Sequence, residues 1–286
     1  MTLQKIGVVG CGLMGAGIAE VSARSGCDVV VVEATDVAAK SGLDRIEKSL
    51  EKAAQRGKLS DADVDGISKR LFVTHDFDAL ADRELVIEAV PEIDELKVDV
   101  FRRLSQTVEA ADSILATNTS SIPIMKLAMA TNRPEQVVGL HFFNPVPVLP
   151  LVEVVRSLLT SDDTAQRVGV FAGDQLSKNL IQSQDRAGFI VNALLIPYIL
   201  SAIRMFESGF ASAEDIDNGM VHGCAHPMGP LALADLIGLD TTAAVAQSMY
   251  EEFKEPLYSA PPLLLRMVDA GLLGRKSGRG FYLYSR

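Results

Sequence analysis

The stretch KIGVVGCGLMG, residues 5–15, decides the fold. A short apolar run, Ile6 to Val9, leads straight into Gly10, Gly12 and Gly15, and a helical pattern follows. Each glycine has a steric task. Gly10 makes a tight turn, Gly12 lets backbone approach a pyrophosphate, and Gly15 lets the helix pack on the strand. A pyrophosphate held there sits at the positive end of the helix, beside Leu13 and Met14. Glu33 ends the next apolar run, 23 residues after Gly10. An acid at that place accepts hydrogen bonds from a ribose 2′-OH. It also repels a 2′-phosphate. Ala34 and Thr35 follow it with no Arg close by in sequence, so NAD is expected and NADP disfavoured.

Outward from this stretch the N-terminal part alternates β-branched runs with helical patterns. Strands are expected at Lys5–Val9, Val29–Glu33, Leu85–Val90, Ser113–Ala116, Val137–Leu140 and Leu151–Val155. The runs are nearly continuous Val, Ile and Leu, as in parallel strands buried on both faces. Helical segments such as Asp36–Gln55 and Asp94–Val108 lie between them, so the reading is βαβ units and a parallel sheet. After residue 184 the pattern turns helical, beginning with the apolar stretch Gly188–Glu207; only Gly280–Tyr284 reads as a strand there. The expected organisation is an α/β chain. Its residues 1–184 form a Rossmann-type, NAD-binding domain with a mostly parallel sheet, and residues 185–286 form an all-helical domain.

Composition narrows the partners. The net charge of −10 and the pI near 4.9 make this a poor general binder of nucleic acid or of an anionic membrane. The acidity is spread over both halves, with no acidic tail. Cys11, Cys27 and Cys224 include no CxxC, so neither a disulfide framework nor a cysteine-rich zinc site is expected, and a reducing cytoplasm fits. No metal is expected. The longest apolar stretch, Phe189 to Leu200, has twelve residues and is too short to span a bilayer.

A second constellation lies at 137–155, VVGLHFFNPVPVLPLVEVV. His141 stands at the end of an apolar strand, where parallel sheets gather their ligands, and its side chain suits acid/base work near neutral pH. Glu153 interrupts another apolar strand. A charge there is costly unless paired, and a carboxylate that orients an imidazole is the usual partner of such a base. Asn118-Thr119-Ser120-Ser121 also follows a strand; it reads equally as pocket or as helix cap and Asx turn. Asn192, inside the apolar helix, needs a hydrogen-bond partner, in a pocket or between helices.

Together GCGLMGAGIA, ATNTSS, GLHFFNPVPVLPLVEVV, GFIVN, HPMGPLALADLIGLD and GRKSGRGFYLY resemble the L-3-hydroxyacyl-CoA dehydrogenases over nearly the whole chain, the short single-function type that includes bacterial 3-hydroxybutyryl-CoA dehydrogenases. The resemblance implies NAD-dependent oxidation of a 3-hydroxyacyl-CoA, and its reverse, in fatty-acid or butanoate metabolism. It implies His141 as base, Glu153 as its orienting partner, and Ser120 and Asn192 at the substrate oxygen. Glu92, Lys97, Asn118, Asn144 and Lys276 would contact cofactor. The helical domain would form a homodimer.

Residues 40–58 carry a basic stripe in this acidic chain. Arg45, Lys48, Lys52 and Arg56 are spaced three, four and four, hence on one helical face. It is either a solvated face or a receiver for the phosphates of coenzyme A. The resemblance places acyl-CoA contacts on this helix, with Ser49 and Arg56 carried over most directly. Two other readings share the nucleotide fold: a dehydrogenase of free hydroxy acids, which relies on a catalytic Lys, and a non-catalytic dinucleotide-binding protein.

Overall fold

The glycine stretch joins strand β1 (Lys5–Val9) to helix α1 (Leu13–Arg24); the computed structural model describes residues 2–284. There follow β2 (Asp28–Val32), α2 (Asp36–Gln55), α3 (Asp61–Ser68) and β3 (Leu71–Thr74). Next come β4 (Leu85–Glu88), α4 (Asp94–Thr107), β5 (Ile114–Thr117) and α5 (Ile124–Ala128). The unit ends with β6 (Val137–Phe142), β7 (Leu151–Arg156), α6 (Asp162–Val170) and β8 (Asn179–Gln184). Among the described residues these strands form one eight-stranded sheet in the order β3-β2-β1-β4-β5-β6-β7-β8. β3 through β6 are parallel neighbours. β7 then runs antiparallel to β6, and β8 parallel to β7.

The sheet is buried because its strands are apolar on both faces. Ile6, Val8, Val29, Val31, Leu85 and Ile87 are completely or almost completely inaccessible, and α1 packs Ile18 and Ala19 onto the same core. The order places β1 between β2 and β4, so the turn after β1 lies where the connections leave in opposite directions. Ligands of open α/β sheets bind at that switch point.

β3 and β8 are strands that the apolar runs do not announce. Both are edge strands with partly exposed faces, so neither reads as a continuous buried run. Glu33 lies one residue past β2, whose last residue is Val32.

The chain divides into two units, Met1–Arg186 and Ala187–Arg286. The second unit comprises α7 (Val191–Glu207), α8 (Ala213–Cys224), α9 (Pro230–Ile237), α10 (Leu239–Phe253) and α11 (Pro262–Asp269). Its own core centres on Ile199, Leu200, Leu231, Ala246, Met249 and Leu264. Residues 280–284 form no strand; isolated bridges tie Arg279 to Gly274 and Leu283. They are held by Asp235, which is buried and accepts from the Phe281 and Tyr282 amides and the Tyr284 hydroxyl. A side chain at Gly280 would lie 1.9 Å from the Asp235 carboxylate, so only glycine lets the tail close on it.

Candidate active site

Glycine is required at two places in the turn after β1. Gly10 has φ +91°, in the left-handed region, and Gly15 leaves no room for a Cβ, which would meet the Gly10 carbonyl at 1.8 Å. Gly12 differs: nothing lies within 4 Å of where its Cβ would be. It is the N-cap of α1, and neither a side-chain cap nor an acidic residue occupies the first turn. The opening amides of α1 therefore face a clear approach, suited to a diphosphate. The Cys11 amide donates to Glu33 Oε1 at 2.5 Å, and Arg45 Nη1 donates to the Cys11 carbonyl at 2.5 Å. Arg45, distant from Glu33 in sequence, is thus brought to the same turn. The Cys11 thiol is pushed up to about 12 by burial and by Glu33, against the pull of Arg45, so it stays protonated.

At the ends of β4 and β5 lies a buried ionic network. Lys97, 1 % exposed, donates to Glu88 Oε1 at 2.7 Å and reaches Glu92 Oε2 at 3.1 Å. Glu88, wholly inaccessible, also accepts from the Val90 amide and the Thr117 hydroxyl. Glu92 Oε1 accepts from the amides of Ser120 and Ser121, and from the hydroxyls of Ser121 and Thr119. Burial raises the Glu92 carboxyl most strongly, but the Lys97 charge and these hydrogen bonds outweigh it and hold the group below the usual carboxylate range. Glu92 thus fixes the loop that carries Ser120. Asn118 Oδ1 accepts from the Phe142 amide at 2.9 Å and ties the ends of β5 and β6 together.

His141 and Glu153 face each other across the β6–β7 pair, as directly opposed residues. His141 Nδ1 lies 2.6 Å from Glu153 Oε2; the imidazole is almost fully buried and the carboxylate completely so. A carboxylate accepts, so Nδ1 carries the proton and Nε2 is the ring atom able to take one up. Phe143 packs on the imidazole at 4.5 Å between ring centroids. The loop after β6 carries the exposed Asn144, and Lys178 staples that loop by donating to the Val146 and Leu149 carbonyls.

The basic stripe lies on the outer face of α2, whose inner face buries Ala39, Ile46 and Leu50. Ser41, Asp44, Arg45, Lys48, Ser49 and Lys52 line a groove of about 450 Å³. Arg56 is the C-cap beyond the last turn and is not among the lining residues.

Asn192 and Lys276 belong to the second unit. Asn192 is half-buried in the first turn of α7. Lys276 pairs with Asp240 in the first turn of α10, with Nζ 2.5 Å from Oδ1. Burial pushes the Asp240 carboxyl up, but the Lys276 partner prevails and lowers it.

Glu88, Thr117 and Lys178 join the site without having been singled out from sequence. The available signal was Glu88 itself, an acid closing an apolar strand, followed nine residues later by a lysine. Among the described residues no cluster of three His, Cys, Asp or Glu is arranged to hold a metal, and no helix is long and apolar enough to cross a membrane.

Residues 5–186 match the family description "3-hydroxyacyl-CoA dehydrogenase, NAD binding domain", and residues 188–284 match "3-hydroxyacyl-CoA dehydrogenase, C-terminal domain". The chain is 56 % identical to a 3-hydroxybutyryl-CoA dehydrogenase of Mycobacterium tuberculosis over 282 residues, 99 % of each protein. It is 41 % identical to human mitochondrial hydroxyacyl-coenzyme A dehydrogenase, across 99 % of this chain and 91 % of that one. The crystal structure of (S)-3-hydroxybutyryl-CoA dehydrogenase from Ralstonia eutropha superposes with a TM-score of 0.94 at 44 % identity, covering both chains completely. A nicotinamide cofactor follows from the matched binding domain, and the turn after β1 has the shape for its diphosphate. With both domains matched in order, the chain belongs to the 3-hydroxyacyl-CoA dehydrogenase family.

Proposed function

We propose that the protein interconverts a 3-hydroxyacyl-CoA and the corresponding 3-ketoacyl-CoA with NAD, and that 3-hydroxybutyryl-CoA and acetoacetyl-CoA are its substrates. The observation that carries the reading is the buried His141–Glu153 pair at the carboxyl end of β6. Close relatives named for this activity, similar over their full length, support it.

Gly10, Gly12 and Gly15, with the amides of Leu13 and Met14, would hold the cofactor diphosphate. Glu33 would take the adenosine ribose, and Glu92, Lys97, Asn118, Asn144 and Lys276 the nicotinamide half. When bound, the cofactor supplies hydride exchange at carbon. In the oxidising direction His141 Nε2 removes the proton of the 3-hydroxyl. Glu153 stabilises the imidazolium that forms, and Ser120 and Asn192 orient the oxygen. In reduction the protonated His141 returns that proton. The α2 groove, through Ser49 and Lys52 and with Arg56 nearby, receives the coenzyme A phosphates. The helical unit forms a homodimer.

The test is NADH oxidation by the purified protein with acetoacetyl-CoA, repeated with NADPH and run in reverse with free 3-hydroxybutyrate. Turnover with the CoA thioester and NADH is expected, with kcat/KM lower for NADPH. Turnover of the free acid as fast as of the thioester would point to a free-acid dehydrogenase. No turnover with NADH binding intact would point to a dinucleotide-binding protein.

A further inference from the structure

Glu88 is not needed to complete a one-to-one ion pair. Lys97 already has Glu92, yet a second carboxylate is buried completely beside it. Burying a charge beyond what pairing requires is costly, so its retention calls for a reason other than stability.

The hydrogen bonds around it favour a charged carboxylate. Every side-chain contact to Glu88 is a donor: Lys97 Nζ, the Val90 amide and the Thr117 hydroxyl. Thr117 Oγ1 itself accepts from the Thr119 amide, which leaves its own proton for Glu88. A carboxylate surrounded by donors is in its accepting, charged form. Glu92 likewise takes only donors and is held below the usual carboxylate range by Lys97 and its hydrogen bonds, against the effect of burial. Two carboxylates and one ammonium leave the network with one net negative charge.

Its place in the sheet gives that charge a target. Glu88 is the last residue of β4, in register with Val9 of β1 and Thr117 of β5. Glu33 follows β2, on the other side of β1. A dinucleotide whose diphosphate lies over Gly12 and whose adenosine ribose meets Glu33 must extend its other half over β4 and β5. The oxidised nicotinamide ring is a cation and the reduced ring is neutral.

We propose that Glu88 acts through Lys97 and Glu92 as a specificity-determining charge, which makes the network anionic and favours the oxidised cofactor over the reduced one. This rests on the proposed cofactor reading. The test is the ratio Kd(NAD+)/Kd(NADH), with NADH followed by its fluorescence and NAD+ by competition, for the wild type, Glu88→Gln and Glu88→Asp. Glu88→Gln should raise the ratio roughly tenfold, the scale for a unit charge removed in a weakly screened interior. Glu88→Asp keeps the charge and should leave the ratio within about twofold of the wild type, even if both affinities fall. A merely structural role would weaken both cofactors alike. Equal weakening in Glu88→Gln, with the ratio unchanged, overturns the proposal while leaving the cofactor reading intact. Wild-type protein that binds neither form overturns the cofactor reading itself. Should Glu88→Gln fail to fold, Glu92→Gln removes the same charge from the same network, and an unchanged ratio there also overturns the proposal.

Discussion

A single proton position organises the chemistry. Because Glu153 accepts from Nδ1, the proposed acid/base atom of His141 is Nε2, and removing the ring removes both the proposed base and the partner of a buried carboxylate. His141→Ala should lower kcat by at least about 100-fold, with NADH affinity retained; stopped-flow turnover beside a fluorescence titration checks both. Glu92 makes a prediction of another kind. Its folded-state carboxyl is held below the ordinary value of 4.5, so its contribution to stability is present above the unfolded value and is lost as pH falls through the lower folded one. Urea denaturation of wild type and Glu92→Gln should show a gap at pH 7 that closes as the solution is acidified below about 4.5. A gap that stays constant with pH would separate Glu92 from this linkage. His141 and Glu153 are legible in the sequence because one closes an apolar run and the other interrupts one. Glu88 is equally buried and lies inside the expected run Leu85–Val90, but its partners Lys97 and Thr117 come from α4 and β5, which the run itself does not show.

The elements show where local pattern stops being informative. The central strands are readable because burial on both faces writes itself as unbroken Val, Ile and Leu. The edge strands β3 and β8 are half-exposed and carry no such mark. The antiparallel turn of β7 is set by which strand it lies beside, which no run of residues states. Helix α5 is a clearer case. Its N-cap is Pro123, which has no side-chain oxygen, and the amides of Ile124 and Met125 are taken instead by the two carboxylate oxygens of Asp185, 61 and 60 residues away. Burial raises the Asp185 carboxyl, against the two amides that favour its charge. Asp185→Ala should therefore behave as loss of a cap and cost about 1 kcal/mol, visible in denaturant melts. It should also loosen the segment leading from Ser120 into α5, visible as faster amide exchange at Ile124 and Met125.

At the scale of the molecule the charge of −10 and the groove on α2 act in opposite senses on the same ligand. The overall field repels a phosphate-rich acyl-CoA, and in the proposed reading Lys48 and Lys52 attract it locally. Salt screens both within about 10 Å at 0.1 M. The groove is nearer, so KM for acetoacetyl-CoA should rise several-fold between about 0.05 and 0.5 M salt. In Lys48→Ala/Lys52→Ala the local attraction falls to what Arg45 and Arg56 supply, and the dependence should flatten. Steady-state kinetics over that range decide it, and an unchanged slope in the double variant would remove the groove from substrate binding. The pairing of β6 with β7 has a consequence for how such a protein diversifies. His141 and Glu153 are held apart by one rung of a backbone ladder, so their separation owes nothing to the eight residues 143–150 that connect the strands. Apart from Phe143, which packs on the imidazole, and the buried Val146, the exposed positions of that connection can change while the His141–Glu153 pairing stays in place. The pairing is inherited from the sheet, and the exposed part of the connection can vary without disturbing it.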